Sequence, residues 1–149
     1  MAYDVSIETA VEYPTAVARA ESDMAGLPTT IITLLDQVYA GLEATGARQQ
    51  GQNIVLYVYG GDTFAVEAGV QVDGPFVSDG PVVPSVLPGG RVARTRHVGP
   101  YGELHQAHVA VQRWCEQQGE TLAGPNWEIY GDWNDDESKL ETEVLYLLA

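Results

Sequence analysis

The chain has little of several features that would define a function at once. It contains one cysteine, Cys115, so a framework of disulfide bonds is excluded, and we expect this cysteine to be a small buried hydrophobe. No apolar run approaches the roughly 18 residues of a membrane-spanning helix. The N-terminal segment carries acids where a signal peptide would carry lysines. We therefore expect a cytoplasmic protein that does not enter a membrane.

Basic residues are also scarce. Seven lysines and arginines stand against 21 acids, which gives a formal net charge of −14. Such a charge repels the phosphate backbone of nucleic acids, so we do not expect direct binding to DNA or RNA. It suits cationic ligands better than anionic ones, although an acidic surface that keeps the protein soluble explains most of these charges equally well.

Motifs for nucleotide, dinucleotide and elbow-type serine chemistry are missing, because GxGxxG, P-loop and GxSxG patterns do not occur. His105 and His108 are three residues apart, a spacing that two metal ligands could use. No third ligand follows nearby, and His108 lies among apolar residues of the same helix. We predict a core or flanking histidine there, with no metal and no cofactor.

The clearest local pattern lies between Arg91 and Gly119. Alternation predicts a strand from Val92 to Val98, and the Gly99-Pro100 turn that follows leads into an amphipathic helix. Gly119 ends this helix at the position of a left-handed C-cap. Its apolar residues recur at three- and four-residue steps and form one stripe: Leu104, Ala107, His108, Val111, Trp114 and Cys115.

The first half of the chain shows the same kinds of element. Alternation indicates strand structure over residues 4–12 and 15–20 with a kink between them, and a helix is predicted from Thr29 or Thr30, as N-cap, to Ala44, with Gly46 closing it. The turn Gly60-Gly61-Asp62 predicts a hairpin between two strand-like runs. The segment from Asp73 to Gly90, rich in proline and glycine, is interpreted as a linker or surface loop.

The order of elements recurs, and a constant offset tests the repeat. A shift of 73 places Gly46 on Gly119, and it also places Ile31 on Leu104 and Tyr57 on Tyr130. A single unit with one apolar helix face and a three-stranded sheet cannot bury its apolar surface fully. Two copies of the unit should therefore pair. We predict a single α+β domain over residues 1–149, built from a duplicated β-α-β-β unit with pseudo-twofold symmetry. Its halves would span about 1–73 and 91–149, joined by a linker at about 74–90, with both helices on one antiparallel sheet.

A pocket at the junction of the halves would be lined by strand residues on the face opposite the helices. Alternation puts Glu128 and Tyr130 on one face of their strand, and Tyr57 and Tyr59 on one face of another, with Glu67 on its partner strand. A carboxylate beside aromatic rings would attract a planar lipophilic cation. The plain alternative is that acids on the open face of an antiparallel sheet are only hydrated, and that tyrosines suit strands by propensity.

Three segments together resemble the GyrI-like family, whose members include the effector-binding domains of multidrug-responsive bacterial regulators. They are HVGPYGELHQAHVAVQRW, GPNWEIYGDW and LETEVLYLL. The resemblance implies a duplicated unit with a cleft between its halves. It also implies that Glu128 with Tyr130, and Glu143, correspond to pocket acids of the family, and that Tyr101 of HVGPYGEL packs in the turn or edges the pocket. The expected ligand-binding residues are Tyr57, Tyr59, Glu67, Tyr101, Trp127, Glu128, Tyr130, Glu143 and Tyr146.

Three functional classes follow. The resemblance favours a module that binds a hydrophobic, cationic or polyaromatic small molecule. Some stand-alone members resemble cyclopropanoid hydrolases, so the second class is an enzyme in which Glu143 or Glu128 acts as base and Tyr130 or Tyr57 donates to the leaving carbonyl. In the third, the acidic protein occupies a basic site on a protein partner, as the gyrase-inhibiting members of the family do.

Overall fold

The computed structural model describes residues 3–149, which form eight strands and two main helices. The strands are β1 (Ser6–Ala10), β2 (Tyr13–Ser22), β3 (Gln49–Gly60), β4 (Thr63–Val72), β5 (Val83–Leu87), β6 (Gly90–Val98), β7 (Leu122–Tyr130) and β8 (Glu141–Leu148). The helices are α1 (Leu27–Thr45) and α2 (Leu104–Gln118), and short 3-10 turns cover Tyr101–Glu103 and Glu137–Lys139. All pairings between these strands within each compact unit are antiparallel, so the predicted α+β class is confirmed.

The chain divides into two compact units. The central unit comprises Glu12–Leu87, and the terminal unit comprises the residues up to Val11 and those from Pro88 onward. In the central unit the strand order is β3-β4-β2-β5, with α1 packed on β2 and β4. In the terminal unit the order is β7-β8-β6-β1, with α2 packed on β6 and β8. Both units therefore have the same β-α-β-β connection, with one added strand beside the first, while the predicted twofold rotation between them stays a prediction.

The expected boundaries of the halves need correction. β1 pairs with β6, with Ser6 opposite Arg94 and Ala10 opposite Gly90, so the N-terminal strand belongs with the second half of the chain. The segment predicted as a linker contains β5, which pairs with β2. β5 tolerates Pro84 because it pairs on one side only within its unit, and proline is confined to such edge strands.

The C-terminal ends of both helices are as predicted, whereas the N-terminal end of α1 is not. Gly46 and Gly119 close α1 and α2 with φ of 75° and 72°, as predicted, because glycine adopts the left-handed conformation without a Cβ clash. The predicted threonine cap of α1 is wrong, since the helix begins at Leu27. Pro28 fits the first turn, where its missing N–H would have no helical partner.

The apolar stripe of α2 packs on its sheet. Leu104, Ala107, Val111 and Cys115 are buried against Ala93 of β6 and Val144, Tyr146 and Leu148 of β8. Burial raises the pKa of the Cys115 thiol, and the nearby Glu120 charge adds to this, so the thiol stays protonated as a small hydrophobe should. Among the described residues, no helix is long and apolar enough to cross a membrane.

The close approach of β2 and β4 depends on the absence of a side chain at Gly69. A Cβ atom at this position would lie 1.9 Å from the carbonyl oxygen of Ala16. We expect Gly69→Ala to lower the free energy of unfolding by about 1–3 kcal/mol or more, because the two backbones must move apart. Urea denaturation measures the loss.

Gly74→Ala is the matched control, because a Cβ there meets no atom within 4 Å. Its unfolding midpoint should stay near that of the parent. Equal midpoints for the two alanine variants would contradict the proposed backbone contact at Gly69.

Candidate functional site

Glu128 is a buried acid beneath helix α2. In the β7–β8 register Glu128 lies opposite Val144, and Tyr130 lies opposite Thr142. Directly opposed residues of antiparallel strands point to the same face, and Val144 belongs to the core that α2 covers. Glu128 is only 4% exposed. The expectation that Glu128 and Tyr130 would face away from the helix is therefore wrong, because alternation separates two faces without identifying the one that a helix covers.

Both oxygens of the Glu128 carboxyl group have hydrogen-bond partners. Oε1 accepts from the hydroxyl of Tyr130 at 2.6 Å, and Oε2 lies 2.6 Å from Nε2 of His108. A buried carboxylate needs such partners because it has lost much of its hydration. These contacts hold the charge in one orientation beneath the helix.

A second layer of hydrogen bonds supports His108. Its Nδ1 lies 2.7 Å from the hydroxyl oxygen of Tyr146, and the side-chain nitrogen of Gln112 donates to the same oxygen at 3.0 Å. His108 and Gln112 are one helical turn apart on α2, and Tyr146 is buried on β8. We call Gln112, Tyr146 and His108 the hydrogen-bond relay.

Aromatic rings extend from the carboxylate toward solvent. The ring of Tyr130 meets the ring of Tyr101 edge to face, with centroids 5.5 Å apart. Tyr101 lies in the 3-10 turn before α2 and is 40% exposed. Partial burial raises the pKa of its phenol, so the ring is uncharged at neutral pH. A ligand that contacts Tyr101 and Tyr130 would thus lie beside the Glu128 charge.

The structure does not bring Glu143 to Glu128. Glu143 lies opposite Ile129 on the other face of the sheet, where it forms an ion pair with Arg94. Trp127 is buried on that same face, opposite Leu145. The expectation that Glu143 and Glu128 line the same pocket is therefore wrong, because the two side chains point to opposite faces of the sheet. Tyr146, in contrast, does belong to the Glu128 cluster through His108.

The predicted residues of the central unit lie on both faces of its sheet. Tyr57 and Tyr59 share the side of β3 that carries Asn53, whose amide oxygen accepts a hydrogen bond from Tyr39 of α1. Glu67 lies on the opposite face and bonds Arg19 at 2.7 Å and Ser85 at 2.5 Å.

Sequence reasoning missed two members of the site. His108 was interpreted as a core or flanking residue, and Gln112 was not singled out. A signal was available in their spacing, because residues four apart share one face of a helix. The strand that follows this helix also carries an acid and a tyrosine, Glu128 and Tyr130.

The fold agrees with comparisons to known proteins. The profile of the GyrI-like small molecule binding domain matches residues 3–148, so the chain belongs to the GyrI-like family. A comparison with curated protein sequences found no match.

Several solved structures have the same fold. The C-terminal domain of EcmrR has a TM-score of 0.83 at 21% identity, covering 100% of this chain and 99% of that one. In the EcmrR–DNA complex, the TM-score is 0.82 at 20% identity, and the match covers 98% of this chain but 57% of the EcmrR chain. SAV2435, solved with tetraphenylphosphonium, has a TM-score of 0.72 at 15% identity, and the match covers 100% of this chain and 94% of that one. A hydrolase from Listeria innocua has a TM-score of 0.62 at 12% identity, and the match covers 99% of this chain and 93% of that one.

The hydrogen bonds of the relay should contribute to stability. Tyr146→Phe keeps the ring but removes the hydroxyl that joins Gln112 to His108, leaving polar groups without their partner. We expect the free energy of unfolding to fall by about 1–3 kcal/mol. Tyr101→Phe is the control, since its hydroxyl makes no hydrogen bond among the described residues. Urea unfolding that cannot distinguish the two variants would contradict the importance of the relay.

Proposed function

We propose that this domain binds a lipophilic, cationic or polyaromatic small molecule beside Glu128. The burial of the Glu128 carboxylate carries the proposal. A charge in such surroundings is screened far less than one in water, so a cation placed next to it gains more attraction. A bulky cation with dispersed charge loses little hydration on entry, which favours it over a small ammonium ion.

The neighbouring rings add to this preference. Tyr130 bonds the carboxylate through its hydroxyl and meets Tyr101 along the path to solvent. Aromatic faces attract cations through the ring quadrupole, and their apolar surface suits an aromatic ligand. The net charge of −14 also raises the concentration of cations near the protein.

Tetraphenylphosphonium is a suitable probe because it combines a shielded positive charge with four aromatic rings. It is also the compound in the SAV2435 structure, although at 15% identity that protein supports only a shared fold. Titration of the parent protein with tetraphenylphosphonium should quench tryptophan fluorescence, and calorimetry gives the affinity.

Glu128→Gln should weaken the binding of tetraphenylphosphonium by about 1–3 kcal/mol, because it removes the counter-charge while keeping the shape of the side chain. Glu143→Gln is the matched control. It makes the same change on the neighbouring strand but on the opposite face, beside Arg94. The control should bind as tightly as the parent.

Two results would contradict the proposal. Equal affinity in the parent and Glu128→Gln would show that this carboxylate is not the counter-charge. A loss confined to Glu143→Gln would place the ligand on the other face of the sheet.

Hydrolysis of a strained electrophile is the second candidate function, and the contact between Glu128 and the imidazole of His108 favours it. A carboxylate acting as base would take a proton from water as the water oxygen attacks the ring carbon. In a cyclopropane-fused dienone the breaking carbon–carbon bond leaves its electron pair on the dienone, which becomes a phenolate. The same two glutamine variants distinguish turnover from binding, since only Glu128→Gln should lose product formation.

A further inference from the structure

We propose that the hydrogen-bond relay sets the charge selectivity of the site: it fixes the tautomer of His108, which then holds Glu128 as an ionised carboxylate facing the ligand. His108 acts here as a positioning residue. This inference rests on the proposed function, and it names the residues that let the site distinguish a cation from a neutral molecule of similar shape.

The proposed direction of the hydrogen bonds begins at Gln112. The amide nitrogen of Gln112 has only protons to offer, so the Tyr146 oxygen accepts from it at 3.0 Å. The hydroxyl proton of Tyr146 is then available for Nδ1 of His108, 2.7 Å away. With this proton directed at Nδ1, that nitrogen is the acceptor and Nε2 carries the ring proton, 2.6 Å from the Glu128 oxygen. In the proposed arrangement the relay selects the neutral Nε2–H form of the imidazole.

The neutral form matters for the charge of the site. An imidazolium would have N–H groups on both sides and would place a positive charge 2.6 Å from the carboxylate oxygen. That charge would cancel the attraction of Glu128 for a ligand cation. A neutral imidazole donates a hydrogen bond without placing a positive charge beside the carboxylate. The titratable groups joined in this cluster are Glu128 and Tyr130 of β7, Tyr146 of β8 and His108 of α2.

The supporting elements are rigid. His108 lies beside the buried stripe of α2, and Tyr146 belongs to the same core cluster. The side chains of His108 and Glu128 are 15% and 5% exposed. Two oriented donors on one buried carboxylate, one of them set by a second layer of hydrogen bonds, form a site arranged before any ligand enters.

The test compares two ligands and three variants of the full chain. The ligands are tetraphenylphosphonium and triphenylphosphine oxide, which present similar phenyl groups but differ in charge. Tyr146→Phe removes the hydroxyl from the relay. Gln112→Met removes the amide that donates to this hydroxyl, at a more exposed position. Gln117→Met is the control, on the exposed part of the same helix. Nitrogen-detected NMR of the free protein, with His108→Gln used for assignment, reports the tautomer of His108.

We expect the Nε2–H tautomer at neutral pH and tighter binding of the cation than of the neutral oxide. Tyr146→Phe and Gln112→Met should lower the ratio of the two affinities by roughly three- to ten-fold, as for loss of one hydrogen bond. The affinity for triphenylphosphine oxide should stay within about twofold of the parent value. Gln117→Met should leave both affinities unchanged.

Two outcomes overturn the selectivity proposal and leave the proposed function standing. One is an Nδ1–H tautomer or an imidazolium at neutral pH. The other is an unchanged affinity ratio in both relay variants, including the case in which both ligands weaken equally, as a merely structural role would produce. If the parent protein binds neither ligand, the proposed function fails, and the selectivity proposal fails with it.

Discussion

The candidate site depends on one carboxyl group, that of Glu128, buried between a helix and a sheet. Removing a carboxylate from water costs far more free energy than one hydrogen bond returns. Tyr130 and His108 each bond one of its oxygens, and Tyr146 and Gln112 orient the imidazole. The packing of α2 on β6 and β8 therefore holds a polar cluster in place, and we propose that this cluster gives the site a preference for positive charge.

Much of the fold follows from local patterns. The spacing of apolar residues predicted both helices, and Gly46 and Gly119 marked their ends because a left-handed C-cap favours glycine. The turn at Gly61 joins β3 to β4 as predicted. The constant offset of 73 residues, which places Tyr57 on Tyr130, also predicted the repeated order of elements.

Other features could not be predicted because they depend on contacts between distant segments. The pairing of β1 with β6 joins residues such as Ser6 and Arg94 that are far apart in the sequence, and nothing in residues 6–10 specifies that partner. A histidine on an apolar stripe has the same pattern whether it is packed in the core or bonded to an acid. The partner of His108 lies 20 residues later, on β7. The position of Glu128 beneath α2 became clear only once the face covered by the helix was known.

The most direct measurement is a crystal structure of the protein with tetraphenylphosphonium. The account predicts the phosphorus atom within about 6 Å of the Glu128 carboxylate or of the Tyr130 ring, the range over which a cation is attracted to an aromatic face. A cation seated beside Glu143 on the opposite face of the sheet would contradict the account. So would one seated in the apolar groove lined by Pro75, Phe76 and Val86 with the Glu128 site empty.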